Sequence, residues 1–420
     1  MRLNETLPLL RVARPPAPPG ARSLARCLSI EDVARKARRR LPKGARGYLD
    51  SGAEGEYTLR RNRAAFDELE LVAQMRHEVD AVDTATTVLG RRIELPFALA
   101  PVGGPRMFHH EGELAAVRAA RRAGIPYGVS TLGTTSVEDV AAQAPGTPLW
   151  FQLYVWGDRG EAREAVARAR DAGFEALLFS IDTTVRSKRE REQRAGLDLP
   201  HPCLSLDTFL DGALHPSWAW HFLTSETISF PNIGPPDHRS REKLAGMFDG
   251  TVTLADLDWI RELWDGPLLL KGVMRPEQAL QAVEAGLDGV IVSNHGGRQL
   301  DHAPATIDVL PGIVEAAGEQ LEVLVDSGFR RGSDIAVALA LGARAVLLGR
   351  AHLYGLAAAG EGGVRHCIEI LAEELRMTMG LCGARSVAEL DGTLIRRRKP
   401  DGAGEPEPAP AGAGWGISPR

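Results

Sequence analysis

Gly289-Val-Ile-Val-Ser-Asn-His-Gly-Gly-Arg-Gln-Leu-Asp301 passes from an apolar run into a polar corner. The run Gly289–Val292 is continuously apolar rather than alternating, which predicts a strand buried on both faces. Beyond Ser293 and Asn294 come an imidazole, two glycines and a guanidinium. Histidine is the side chain suited to take a proton near neutral pH. Arginine offers a planar fork to a carboxylate or phosphate, and glycine lets backbone approach a ligand closely. A base and an anion clamp at the C-terminal end of a buried strand read as a catalytic corner. The plain alternative is a polar strand-to-loop turn without chemistry.

The same rhythm recurs on both sides. Short apolar runs are expected as strands at Phe97–Ala100, Tyr127–Ser130, Leu149–Tyr154, Ala176–Ile181, Pro267–Lys271, Gly289–Ser293, Glu322–Asp326 and Ala345–Leu348. Helical patterns lie between them, at Glu111–Ala123, Ser136–Ala144, Arg159–Ala172, Pro276–Ala285 and Ser333–Leu341. Three of these end in Ala-Gly (Ala123-Gly124, Ala172-Gly173, Ala285-Gly286), a helix stop. Eight strands alternating with helices predict an α/β fold, a (β/α)8 TIM barrel. An open doubly wound sheet is the alternative, because strand closure is not visible in sequence. Roughly 85 residues separate strands four and five, far beyond an ordinary connection. Residues 201–250, with Trp218, Trp220, Phe222 and Phe230, are therefore expected as an insertion on the active-site face.

Ser29-Ile-Glu-Asp32 reads as a helix start running to Arg40, interrupted by Leu41-Pro-Lys. Gly47 to Ala53 is expected as a helix end and turn. Residues 1–28 are rich in Pro and Arg and 393–420 in charge, Gly, Pro and Ala; both are expected to be disordered. The barrel domain should thus span 29–392.

Composition narrows the classes. The 420 residues carry a net charge of −5, which gives no reason to expect nucleic-acid binding. Cys27, Cys203, Cys367 and Cys382 are widely spaced, so neither a metal site nor a disulfide framework is expected from them, and a reducing cytoplasm fits. No apolar run is long enough to span a membrane.

In a barrel, chemistry sits at the C-terminal ends of strands. Those ends here are Ala100-Pro101-Val102-Gly103, Ser130, Gln152 with Tyr154, Ser180 with Asp182, Lys271, Ser293 with His295 and Arg298, Asp326 to Arg330, and Gly349-Arg350. The loops after strands seven and eight often bind phosphate, and here they offer Arg330, Arg350 and helix starts. No G-x-G-x-x-G follows a strand, which disfavours a nicotinamide-binding unit. A phosphorylated cofactor with its reactive end across the barrel mouth is the economical reading. FMN fits, since Lys271 could stabilise negative charge on a reduced ring.

These motifs carry a resemblance. Ser293-Asn-His-Gly-Gly-Arg-Gln-Leu-Asp301, Asp326-Ser-Gly-Phe-Arg-Arg-Gly-Ser-Asp334, Gly349-Arg350, Tyr57-Thr-Leu-Arg-Arg-Asn62, Phe151-Gln-Leu-Tyr154 and Lys271-Gly272 resemble the FMN-dependent 2-hydroxy-acid oxidase and dehydrogenase family. His215-Pro-Ser-Trp-Ala-Trp220 and Asp258–Pro267 are most similar to its bacterial membrane-associated L-lactate and mandelate dehydrogenases. The resemblance implies oxidation of an L-2-hydroxy acid to a 2-oxo acid. It implies that His295 is the base, Asp182 its carboxylate partner, and Arg298, Arg189 and Tyr48 the groups that hold substrate carboxylate. Tyr154 should bond the substrate hydroxyl and Lys271 should face the flavin. Ala100, Pro101, Ser130, Gln152, Ser180 and Ser293 should line the ring, Asp326 the ribityl chain, and Gly328, Arg330, Gly349 and Arg350 the phosphate. A homotetramer is also implied.

The chain departs from the family in Asp182-Thr-Thr-Val-Arg-Ser-Lys-Arg189, where relatives carry Thr/Ala-Pro and a later Gly, and in Gly104-Pro-Arg-Met107. The insertion's aromatics predict a protein peripheral to the inner face of the membrane at most, passing electrons to a quinone-like acceptor. The alternatives are an oxygen-using oxidase, or a flavin enzyme acting on a biosynthetic intermediate.

Overall fold

The computed structural model describes residues 24–74, 81–157, 159–197, 206–234 and 250–398. Eight parallel strands form a closed barrel: Phe97–Leu99, Tyr127–Ser130, Leu149–Leu153, Ala176–Ser180, Leu268–Val273, Gly289–Val292, Glu322–Val325 and Ala345–Leu348. Val346 of the eighth pairs with Phe97 of the first, and this contact separates a barrel from an open sheet. Small and branched side chains fill the interior, among them Ala98, Ala176, Leu178, Leu269, Ile291, Leu324 and Leu347. The hairpin of Thr86–Val88 and Arg91–Ile93 packs Val88 and Ile93 into that same cluster. It covers one end of the barrel, and the main cavity opens at the other, the strands' C-terminal end.

Helix stops fall where expected, with Gly124, Gly173 and Gly286 all at positive φ (64°, 82° and 67°). Ser29 caps the helix Ile30–Arg40 in a capping box with Asp32. The helix breaks at Leu41-Pro42 as expected, and the expected helix end between Gly47 and Ala53 falls at Asp50. Pro42 sits at the N-cap of a new helix, Lys43–Asp50, which carries Tyr48 toward the barrel mouth. Proline's fixed φ suits a helix entry, and it forces the preceding residue out of the helical region. The helix Arg350–Leu381 follows strand eight, breaks its geometry at Ala359 and Gly360, and packs on Ile30–Arg40 and Gly112–Ala123.

Two expected boundaries shift. Residues 24–28 belong to the fold: Cys27 is buried and its carbonyl accepts a bond from His366 Nε2. At the other end, Ile395–Arg397 is not part of a disordered tail but pairs antiparallel with Leu69–Leu71. The Arg396–Glu70 ion pair fastens that strand. The rest of both expected extensions, 1–23 and 399–420, lies outside the described residues.

The described part of the insertion holds two helices, Leu206–Ala213 and Pro216–Thr224. Trp218 Nε1 donates to the Met107 carbonyl at 2.9 Å, fixing the second helix to the loop after strand one. The insertion therefore stands on the open face of the barrel.

Candidate active site

Strand six ends at Val292, and the chain turns at once through left-handed conformations at His295, Gly296 and Gly297 (φ 57°, 67° and 73°). Only glycine adopts these at little cost; His295 is held there by its surroundings. Its backbone N–H donates to Ser293 Oγ at 3.1 Å, and its Nδ1 lies 3.0 Å from Asp182 Oδ2. Asp182 follows strand four. It can come this close because residue 272 is glycine: with φ at 103°, a Cβ there would sit 2.7 Å from Asp182 Cβ.

Burial pushes the His295 imidazole below its ordinary value, against the pull of Asp182. Burial alone would raise Asp182, but His295 and Lys271 outweigh it and keep the carboxyl below the usual range. The resting pair is therefore a neutral imidazole beside a carboxylate, with Nε2 free to accept a proton. Asp182 Oδ1 is buried with no hydrogen-bond partner among the described residues. Tyr154 OH lies 3.3 Å from His295 Nε2. Burial and the Asp182 charge raise the phenol well above its ordinary value, so it stays a donor.

Lys271, at the end of strand five, is buried with Nζ 2.8 Å from Ser293 Oγ and 3.2 Å from Asp326 Oδ2. Burial disfavours its charge, but Asp326 and Asp182 more than restore it. Across strands two to four, Ser130 Oγ donates to Gln152 Oε1 (2.8 Å) and Gln152 Nε2 to Ser180 Oγ (3.1 Å). This is a fixed polar ladder at one level of the barrel mouth.

Arg298 and Arg189 meet on the other side. Arg298 Nη1 donates to the Tyr48 carbonyl and to Ser51 Oγ, both at 2.8 Å, while Nη2 reaches Glu192 Oε1 at 2.9 Å. Its guanidinium lies 4.7 Å from the Tyr48 ring centre. Arg189 donates to Gln299 Oε1 at 2.8 Å and stands 3.9 Å from the same Glu192 oxygen. Burial and Arg298 push Arg189 down to about 10, so it remains a cation at neutral pH. Two guanidiniums thus share one buried carboxylate, and one positive charge is left over for an anion.

One cavity joins these groups. Tyr48, Ala100, Pro101, Gly103, Ser130, Gln152, Tyr154, Ser180, Arg189, Lys271, His295 and Arg298 line it, and it continues past Asp326, Gly328, Arg330, Gly349 and Arg350. Two expected contacts stand one layer back instead. Ser293 is fully buried behind Lys271, and Asp182 lies behind His295. Arg350 spends its guanidinium on the carbonyls of Leu49, Gly296 and Ser51 (3.0, 2.9 and 2.7 Å). Burial and Arg298 bring it down to about 10. Sequence reading missed Glu192 and Ser51. It also missed the Asn62–Asn294 amide pair (2.9 and 2.7 Å), which clamps the turn before His295. Glu192 sits in the Arg/Glu-rich run Arg189–Arg194, where nothing local marks it as buried.

The donor set fits FMN. A buried ammonium faces the cavity, amide and hydroxyl groups match ring heteroatoms, and Arg330 stands with two helix starts where a phosphate would lie. A Cβ on Gly349 would meet nothing within 4 Å, so its backbone borders open space. Residues 37–397 match the FMN-dependent dehydrogenase family. The chain belongs to that family. It is 42% identical to a putative L-lactate dehydrogenase of Mycobacterium tuberculosis, over 96% of this chain and 98% of the relative. It is 41% identical to the L-lactate dehydrogenase of Caulobacter vibrioides, over 89% and 98%. Among solved structures, (S)-mandelate dehydrogenase, described as a monotopic membrane protein, aligns with TM-score 0.85 and 38% identity, covering 89% of this chain and all (100%) of that one. A mandelate oxidase aligns with TM-score 0.75 and 39% identity over 89% and 100%. FMN is accordingly the cofactor of this dehydrogenase family member.

Proposed function

We propose that this protein oxidises a lactate- or mandelate-like L-2-hydroxy acid to the 2-oxo acid and delivers the electrons to a quinone-like acceptor. The observation that carries the reading is the His295–Asp182 pair at 3.0 Å, facing the same cavity as Arg298 and Arg189. The two arginines bind the substrate carboxylate, with Tyr48 beside them. Tyr154, still protonated, donates to the substrate hydroxyl oxygen. His295 takes the proton that leaves the substrate, and Asp182 stabilises the imidazolium. Bound FMN supplies the two-electron acceptor. Lys271 is the cation placed to offset negative charge in that part of the cavity, while the Ser130–Gln152–Ser180 ladder and the Arg330–Gly349–Arg350 end hold the cofactor.

The insertion supports peripheral contact with a bilayer. Trp220 and Leu223 are 68% and 79% exposed, and Leu206 and Leu210 of the adjoining helix and Leu214 just after it are exposed as well. No helix among the described residues is long and apolar enough to cross a membrane. A tetramer agrees with the family resemblance, and light scattering tests it. The decisive experiment compares turnover of lactate, mandelate and glycolate in air alone and with a soluble quinone. Fast turnover with quinone and slow peroxide formation is expected. Fast peroxide formation with no gain from quinone would make the protein an oxidase. Binding to liposomes that Trp220→Ser together with Leu223→Ser fails to weaken would remove the membrane reading.

A further inference from the structure

A second cluster of chemistry-bearing side chains lies outside the cavity. His109 and His110 follow the short turn Pro105–Met107 beyond strand one, and His221 comes from the insertion helix Pro216–Thr224. The His110 and His221 rings are stacked with centres 4.0 Å apart and planes at 13°. His109 and His110 are 4.4 Å apart. Donor atoms of His109, His110 and Glu111 all lie within 4.8 Å of one another.

Stacked imidazoles can be simple packing, but packing does not account for the polar atoms. His110 Nδ1 is buried and has no hydrogen-bond partner among the described residues. His109 Nδ1 accepts only a long bond, 3.3 Å, from the Glu111 amide. A buried lone pair left unmatched is destabilising, and a metal ion would satisfy it.

We propose that His109, His110 and His221, with Glu111, bind one divalent ion of the zinc class and so clasp the insertion to the first loop of the barrel. Zinc–nitrogen bonds of about 2.0–2.1 Å place tetrahedral donors roughly 3.3 Å apart. Reaching that spacing requires the stacked rings to rotate, and His221, whose ring centre is 6.5 Å from that of His109, must move furthest. Three imidazoles with one carboxylate suit zinc, nickel or copper and do not suit calcium or magnesium. The arginines nearby are engaged: Arg118 pairs with Glu111 and Glu361, and Arg106 donates to the carbonyls of His110 and Glu226. Their charge keeps the affinity moderate. Phe108 lines both this pocket and the main cavity, so a clasp here stiffens a wall of the active site.

The test uses the full FMN-loaded chain, stripped with a chelator and titrated with zinc against a colorimetric indicator. One zinc per chain is expected, with affinity falling at least tenfold in His110→Ala and in His221→Phe. The second variant keeps an aromatic ring stacked on His110 and removes only the ligand. Hydrogen exchange over residues 216–224 should slow on zinc addition in the parent protein and not in His221→Phe. Absence of binding to the parent, undiminished binding in both variants, or zinc-independent exchange would each overturn the proposal.

Discussion

Replacing Asp182 with Asn should slow substrate-driven flavin reduction by about a hundredfold while leaving FMN bound. The Asp182 carboxylate lies 3.0 Å from His295 Nδ1 and is nearly buried, so its charge acts on the imidazolium with little screening. At an effective dielectric of about 20, unit charges roughly 4 Å apart interact by about 4 kcal/mol. The asparagine oxygen still accepts a bond from Nδ1–H, which recovers about 1 kcal/mol. The remaining loss of about 3 kcal/mol corresponds to about two powers of ten in rate. The assay is anaerobic stopped-flow bleaching of the flavin band at saturating substrate, with FMN content measured on the same sample. A variant that keeps its flavin and is slowed less than threefold would refute the assigned role of Asp182, because a merely spatial role is preserved by asparagine.

Gly272→Ala places a side chain at φ 103° and a Cβ 2.7 Å from Asp182 Cβ. It should destabilise the fold by about 1–3 kcal/mol and slow flavin reduction by displacing Asp182; a variant with parental melting temperature and rate would contradict this. His352 is buried, hydrogen-bonded to the Leu348 carbonyl, and held down to about 4 by burial. An unfolded histidine titrates near 6.5, so below that pH the unfolded chain takes up a proton that the folded one refuses. This contribution to stability is complete above about pH 6.5 and is lost as pH falls towards 4. Urea midpoints should decline over that window in the parent and less steeply in His352→Gln; parallel curves would remove His352 as a cause.

The eight strands were legible because each is a continuous apolar run closed by a local stop, and their ends agree with the structure to within a residue or two. Closure was not, since the contact between Val346 and Phe97 joins distant segments. His295 and Arg298 declared themselves within one short motif, and the cavity brings them together with Arg189, Tyr48 and Lys271. Glu192 stayed hidden for the opposite reason. Its neighbours Glu190, Arg191 and Arg194 face solvent or the half-exposed rim, and only the tertiary fold turns this one carboxylate inward onto Arg298. The break at Leu41-Pro42 and the helix end near Asp50 were legible, but the start of Lys43–Asp50 was not, because a proline at a helix entry looks, locally, like a stop. The strand Ile395–Arg397 is three residues long and finds its partner far away in sequence, so it leaves almost no local pattern.

The central claim is that His295 is the base for a hydroxy-acid oxidation at this cavity. Its most direct test is anaerobic addition of L-lactate or (S)-mandelate to the purified flavoprotein and to His295→Gln. The parent flavin should bleach rapidly, while the variant should bind FMN fully and bleach slower by about two to four powers of ten, since a general base contributes about 10²–10⁴ and glutamine cannot replace it. Bleaching of the variant at the parental rate, with flavin content intact, would contradict the account.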